Sequence, residues 1–272
     1  MSAAKPPVCL TIAGLDPSGG AGIVTDIKTF SRFECFATAV ISSLTFQNTT
    51  GVFGSVHQTA ESIRGQAEPV IKDFDIAALK TGMLPSAEVI EEVAALVQKH
   101  QLKNLIVDPV VCSTSGFDLI DEAALLSLTK NLFPLATLVT PNLHEAERIT
   151  GIAILLEEDI EAAARVMQAM GAGNVLIKGG HGLGSEPRVP GSESSRKAKD
   201  FLFVNDAVHV FEADFIEMAA RHGTGCTLSA AITANLALGK ELVDAIRISK
   251  ELVTEAIRTS PGLGHGSSPI HV

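Results

Sequence analysis

Apolar and polar positions along this chain switch repeatedly between two patterns. Short unbroken apolar runs give way to stretches with apolar residues every three to four positions. Val8 to Ala13 predicts a buried strand that stops at Gly14, and Gly20 to Arg32 predicts the first helix. Ala37 to Leu44 is the next apolar run, Ala60 to Ile71 reads as helix, and Ile76 to Lys80 as strand. Ser86 can cap a helix whose apolar face is Val89, Ile90, Val93, Leu96 and Val97. Leu105 to Val107 is a strand ending at Asp108-Pro109, and Asp121 caps a helix running to about Leu132. Thr137 to Thr140 is a strand ending at Pro141-Asn142. Helices follow at Leu143 to Thr150, closed by Gly151, and at Glu158 to Met170, closed by Gly171. Val175 to Lys178 is a strand, Phe201 to Val204 and Ala207 to Phe211 predict a hairpin turning at Asn205-Asp206, and two helices come last.

Alternating strands and helices predict an α/β fold of three layers, with a mainly parallel central sheet covered by helices on both faces. No shift in composition divides residues 1–272, so the expectation is one domain. The stretch 182–200 is rich in Ser, Gly, Pro and charge and predicts a mobile loop.

Composition narrows the function classes. A net charge of −10 and the absence of Trp and Tyr argue against a nucleic-acid surface. No apolar run has the length of a membrane span, and residues 1–7 lack the form of a secretory leader, so no membrane association is expected. Cys9, Cys35, Cys112 and Cys226 lie far apart without a CxxC pair. That spacing suits reduced thiols in the cytoplasm better than zinc or disulfides.

The unusual polar residues fall at strand ends, where open parallel sheets bind ligands. Asp16 follows the first strand with Ser18-Gly19-Gly20-Ala21-Gly22 behind it, and Gln47-Asn48 follows the second. Gly82-Met83 follows Lys80. Asp108, then Asn142 with Glu145, then Lys178 close later strands. Singly, Asp16 or Asp108 reads as a turn cap, Asn142 as a helix N-cap, and Lys178 as a strand-end lysine; together they mark one edge of a sheet. There is no G-x-x-x-x-G-K-[ST] loop, Gly180 to Ser185 misses the last glycine of G-x-G-x-x-G, and neither a zincin helix nor a G-x-S-x-G elbow is present.

His222-Gly223-Thr224-Gly225-Cys226-Thr227 opens an apolar helical run over 228–238. Glycines ahead of a helix leave N–H groups that converge on one spot, and the helix dipole adds positive potential, so the place suits a phosphate. The same dipole is expected to lower the Cys226 thiol from about 8.5 toward neutrality, making it a usable base or nucleophile. The alternative is a Gly-rich turn over a small apolar cysteine. Carboxylates that can hold Mg²⁺, a lysine and an anion nest point to phosphoryl transfer.

Seven blocks in order, from about residue 8 onward, carry a resemblance. They are Thr11 to Gly22, Gln47-Asn48-Thr49, Lys80 to Leu84, Val107 to Val110, Thr140 to Ala146, Ile177 to His181 and His222 to Ala231. Together the chain resembles the hydroxymethylpyrimidine/phosphomethylpyrimidine kinases of thiamine synthesis. The resemblance implies a ribokinase-like fold and ATP- and Mg²⁺-dependent phosphorylation of 4-amino-5-hydroxymethyl-2-methylpyrimidine, then of its monophosphate.

The same resemblance implies roles. Gln47 would read the aminopyrimidine edge, with Asp16 and Gly14 beside the ring and Met83 and Val110 as apolar walls. Asn142, Lys178 and Gly225 would meet ATP, and Asp108 and Glu145 would organise Mg²⁺. Gly223, Thr224 and Gly225 would form the anion hole, and Cys226 would be the base. Leu15, Phe46 and the 216–221 approach depart from the family pattern and bear on the ring pocket and the nucleotide contacts. Two other readings are a pyridoxal kinase of the same fold and a pyrimidine-binding sensor without catalysis. A homodimer or other homo-oligomer is the expected assembly.

Overall fold

The computed structural model describes residues 5–111, 119–179, 197–217 and 222–272. Its elements are β1 (Val8–Leu15), α1 (Gly22–Arg32), β2 (Phe36–Asn48), β3 (Gly51–His57), α2 (Ala60–Asp73), β4 (Ile76–Thr81), α3 (Ala87–Lys99), β5 (Leu105–Val107) and α4 (Glu122–Ser127). They continue with β6 (Leu138–Val139), α5 (Leu143–Thr150), α6 (Glu157–Ala169), β7 (Asn174–Lys178), β8 (Lys197–Val204), β9 (Ala207–Asp214), α7 (Thr224–Ala237) and α8 (Leu242–Arg258). Among the described residues one nine-stranded sheet runs β3-β2-β1-β4-β5-β6-β7-β8-β9. The β2-β1-β4-β5-β6-β7 pairings are parallel, and β3, β8 and β9 join antiparallel.

Strand side chains alternate between two cores. Leu105 and Val107 of β5 and Val175 and Ile177 of β7 face one core with residues of α2 to α6. Ile106, Leu138, Leu176 and Leu202 face the other, against Leu228 and Ile232 of α7 and Ala245 and Ile246 of α8. Cys9, Phe30, Cys35, Ala230 and Ala234 continue that second face beneath α1 and α7. By this alternation Thr11 and Lys80 point to the α1/α7 side. Ser86 and Asp121 cap their helices as their spacing predicts.

Four expectations change. The second strand does not stop at Leu44. It runs to Asn48, turns, and returns as β3, whose largely exposed side chains give no apolar signal. The helix from Asp121 stops being α at Ser127, passes through a wide turn over Leu128–Leu132, and ends in a 3₁₀ turn at Phe133–Leu135, since Pro134 offers no N–H to continue it. The hairpin strands are longer than predicted, Lys197–Val204 and Ala207–Asp214, so residues 197–200 of the expected loop are strand. Residues 182–196 of that loop, and 218–221, lie outside the described residues. Among the described residues no helix is long and apolar enough to cross a membrane.

The chain order reverses across β1, which pairs with β2 on one side and β4 on the other. The crevice beyond the carboxyl ends of such strands is where α/β sheets bind ligands.

Candidate active site

The nest begins at Gly223, in the left-handed region at φ +85 as the N-cap of α7. A Cβ there would lie 1.8 Å from the Gly20 carbonyl oxygen, so two glycine turns are pressed together. Thr224 opens the helix, and Gly225 and Cys226 follow in its first turn, where the backbone N–H groups are directed out of the N-terminal end. Lys178 reaches over this end of α7, its Nζ 3.2 Å from where a Gly225 Cβ would stand.

Lys178 closes β7, and its backbone N–H donates to the Pro141 carbonyl, which sets it beside Asn142. Its Nζ donates to Asp108 Oδ1 at 3.0 Å and lies 4.0 Å from Glu145 Oε2. Asp108 also accepts from Thr140 Oγ1 (3.2 Å) and Ser229 Oγ (3.0 Å). Burial opposes its charge, but Lys178 and Lys80 outweigh that and hold the carboxyl below the usual range. Asn142 is the N-cap of α5: its Oδ1 accepts from Glu145 N, while Glu145 Oε2 accepts from Asn142 N at 2.7 Å. Burial pushes the Glu145 carboxyl up to about 7, against the pull of Lys178.

Asp108 and Glu145 offer hard oxygens next to the nest. Glu145 uses only Oε2 for its cap, and Asp108 Oδ2 receives a single hydroxyl. Two carboxylates fit a Mg²⁺ ion that keeps water and phosphate ligands. Among the described residues no three His, Cys, Asp or Glu side chains form a ready-made metal cage.

Below the nest lies an ion pair that sequence reasoning missed. Lys80 is fully buried, and its Nζ is 3.0 Å from Asp26 of α1. Thr11 Oγ1 donates to the same carboxylate at 2.6 Å. Cys226 sits in the field of Lys80, and the Gly22 N–H points at its sulfur. The expectation of a thiol shifted toward neutrality is corrected: burial pushes Cys226 up to about 11. Lys80 and the Gly22 N–H work against this, and Asp108 and Asp26 reinforce it. A helix terminus contributes a fraction of a kcal/mol to about 2, less than desolvation of a sulfur anion costs.

The residues expected at the ring divide into two groups. Gly14 and Met83 are together, a Gly14 Cβ lying 3.6 Å from Met83 Sδ. Gly82 and Val110 line one small apolar cleft next to them. Gln47 is half-buried near the tip of the β2–β3 hairpin, opposite Val52. Thr45 Oγ1 donates to Leu15 O and ties the hairpin over the end of β1. Asp16 is 1% exposed and engaged on both oxygens. It accepts from Ser18 N and Oγ, from Ala21 N, and from His222 Nε2 at 2.8 Å. Burial resists its charge, but His222 and Ser18 hold it down to about 2. Asp16 therefore organises the β1–α1 turn and pins it to the nest.

Lys80, Asp26, His222, Thr140 and Ser229 are the site residues that residue-by-residue reading left without a role. The available signals were a lysine ending an apolar strand and a histidine next to a glycine nest.

Comparison with known proteins agrees with this architecture. The family model for phosphomethylpyrimidine kinase matches residues 16–271. The chain is 41% identical over 261 residues to the hydroxymethylpyrimidine/phosphomethylpyrimidine kinase of Haemophilus influenzae, covering 96% of this chain and 94% of that protein. Among solved structures, phosphomethylpyrimidine kinase from Clostridium difficile 630 is 40% identical with a TM-score of 0.79, covering 92% of this chain and 99% of that one. An ADP complex of Bacillus subtilis pyridoxal kinase is 34% identical with a TM-score of 0.86, covering 98% and 97%.

Proposed function

The chain belongs to the phosphomethylpyrimidine kinase family, and from that premise we propose a two-step phosphotransferase of thiamine biosynthesis. ATP phosphorylates 4-amino-5-hydroxymethyl-2-methylpyrimidine, and a second ATP phosphorylates the monophosphate to the diphosphate. The observation that carries this reading is Lys178 poised over the Gly223–Cys226 nest while bonded to Asp108, so that one spot gathers a cation, main-chain N–H groups and carboxylates.

The residues divide the work as follows. The hydroxymethyl oxygen attacks the terminal phosphorus, and the bond to the bridging oxygen of ADP breaks. The N–H groups of Thr224, Gly225 and Cys226, with Lys178, stabilise the charge on the moving phosphoryl group. Cys226 Sγ takes the hydroxymethyl proton. Lys80, held by Asp26, favours the thiolate that accepts this proton and becomes a neutral thiol. Asp108 and Glu145 would hold Mg²⁺, which would supply neutralisation of phosphate charge, and Asn142 orients Glu145. Gln47 reads the aminopyrimidine edge, and Gly14, Met83 and Val110 enclose the ring. The ADP complex of the Bacillus subtilis relative supports the nucleotide half of this assignment. A single domain, a cytoplasmic location and a homodimer or other homo-oligomer complete the proposal.

Pyridoxal is a second substrate to test, because the pyridoxal kinase of Bacillus subtilis superposes with the higher TM-score. The deciding experiment follows phosphorus signals with ATP, Mg²⁺ and either the aminopyrimidine alcohol or pyridoxal. The proposal requires a monophosphate and then a diphosphate from the pyrimidine. Turnover of pyridoxal alone overturns it.

A further inference from the structure

The segment after α8 folds back over the site and touches both of its ends. At one end Ser267 N donates to Thr49 O at 2.8 Å, and His265 N and Gly266 N approach Thr49 Oγ1 at 3.2 and 3.4 Å. Thr49 is in the β2–β3 turn, two residues from Gln47. At the other end the segment pairs with His222: His222 N donates to Ser268 O and Ile270 N to His222 O, both at 3.4 Å. His222 in turn bonds Asp16 and precedes Gly223. Ser260 Oγ donates to Pro269 O at 3.1 Å and fixes the base of the segment to the end of α8.

The fit allows no added side-chain atoms. A Cβ on Gly264 would lie 2.3 Å from Thr49 Oγ1, and one on Gly266 would lie 2.1 Å from Thr49 O. Gly264 is also at φ +82. On the nest side, a Cβ on Gly20 would lie 2.4 Å from His222 Cδ2 and 3.0 Å from Pro269 Cβ. Ser268 and Ile270 are buried although residues 261–266 are exposed. The exposed, glycine-rich stretch is thus held by hydrogen bonds at Thr49 and at His222.

We infer that residues 262–270 are a strap through which Thr49, as a positioning residue, couples the hairpin bearing Gln47 to the anion nest. The strap rests on the reading of Gln47 as the pyrimidine contact and of Gly223–Cys226 as the phosphate contact. Ordering either end through a shared element lowers the cost of ordering the other, which makes the two ligands reinforce each other.

The test uses the full chain with Thr49→Val, which removes the hydroxyl acceptor at nearly constant volume, and Thr49→Ser, which keeps it. Amide hydrogen exchange of the ligand-free protein is the first readout. Thr49→Val is expected to speed exchange at His222, Ile270 and the first turn of α7 by about fivefold, the scale of one net hydrogen bond, while Thr49→Ser matches the parent. The second readout is the Kd of a non-hydrolysable ATP analogue with and without the pyrimidine alcohol. The parent and Thr49→Ser are expected to show coupling of about fivefold or more, and Thr49→Val almost none. Gly266→Ala, whose Cβ would press on the Thr49 carbonyl oxygen that Ser267 N bonds, loosens the strap at the neighbouring contact and is expected to reproduce Thr49→Val in both. Unchanged exchange near His222 in Thr49→Val and Gly266→Ala overturns the strap, as does equal loss in Thr49→Ser and Thr49→Val. If the parent does not bind the pyrimidine alcohol, the substrate reading fails, and the exchange readout still decides the strap.

Discussion

The ammonium of Lys80 and the carboxylate of Asp26 meet at 3.0 Å with neither side chain exposed to solvent. Such a pair gains little net stability, because desolvating two charges cancels much of their attraction. Its position below Cys226 gives it a chemical use instead. Lys80→Met leaves the Asp26 carboxyl in the core without its cation and with Thr11 Oγ1 still bonded to it, which is expected to cost about 3–5 kcal/mol in urea unfolding. Adding Asp26→Leu removes the stranded charge and is expected to recover most of that stability, while the first phosphoryl transfer stays slow. A double variant as active as the parent would show that Cys226 does not depend on the pair.

The two glycines of the nest make contrasting predictions. Gly223→Ala places a methyl 1.8 Å from the Gly20 carbonyl at a positive φ, and neither backbone can yield without moving the turn. It is expected to abolish nucleotide binding and lower the melting temperature. Gly225→Ala meets only the flexible end of Lys178, at 3.2 Å. That variant is expected to fold normally and lose about tenfold in kcat as Lys178 is displaced from the phosphate. Calorimetry and steady-state kinetics on both variants separate backbone strain from displacement of one side chain.

These relationships also show what the amino-acid pattern reveals and what it hides. Apolar periodicity located β1, β4 and β5, and local capping chemistry located Ser86, Asp121 and Asn142, because both act over a few neighbouring residues. The β3 return strand was not visible, since its side chains are mostly exposed and alternate with nothing. The nest was legible in its glycines. The Cys226 shift was not, because a helix dipole is local whereas burial depends on what α1 and β4 bring over it. Lys80 and Asp26 are 54 positions apart, and only the packing of α1 on the sheet makes them partners.

Asp16 gives a pH signature. Its carboxyl titrates at about 2 when folded against a usual 3.8, with burial opposing and His222 and Ser18 favouring the charged form. The depressed value means that its stabilising effect is complete above about pH 4 and disappears as pH falls toward 2. Asp16→Asn is expected to be less stable than the parent by about 2 kcal/mol at pH 7. The gap should narrow below pH 4 and close near pH 2 in denaturant titrations. A gap independent of pH would assign the loss to turn geometry rather than to charge.

Cys226 separates the two transfers. The hydroxymethyl group of the first acceptor must lose a proton as it attacks, whereas the phosphate of the second acceptor is already ionised at neutral pH. With the thiol at about 11, only about one sulfur in ten thousand is ionised at pH 7. The single-turnover rate of the first transfer is therefore expected to climb about tenfold per pH unit between 7 and 10, with a much flatter profile for the second. Cys226→Ala is expected to slow the first transfer by about 10² to 10⁴ and the second by less than about tenfold. The nest remains in that variant, because its N–H groups belong to the backbone, so nucleotide affinity should hold. Equal losses in both transfers would leave the sulfur with no part in deprotonation and would make it a packing residue at the foot of the nest.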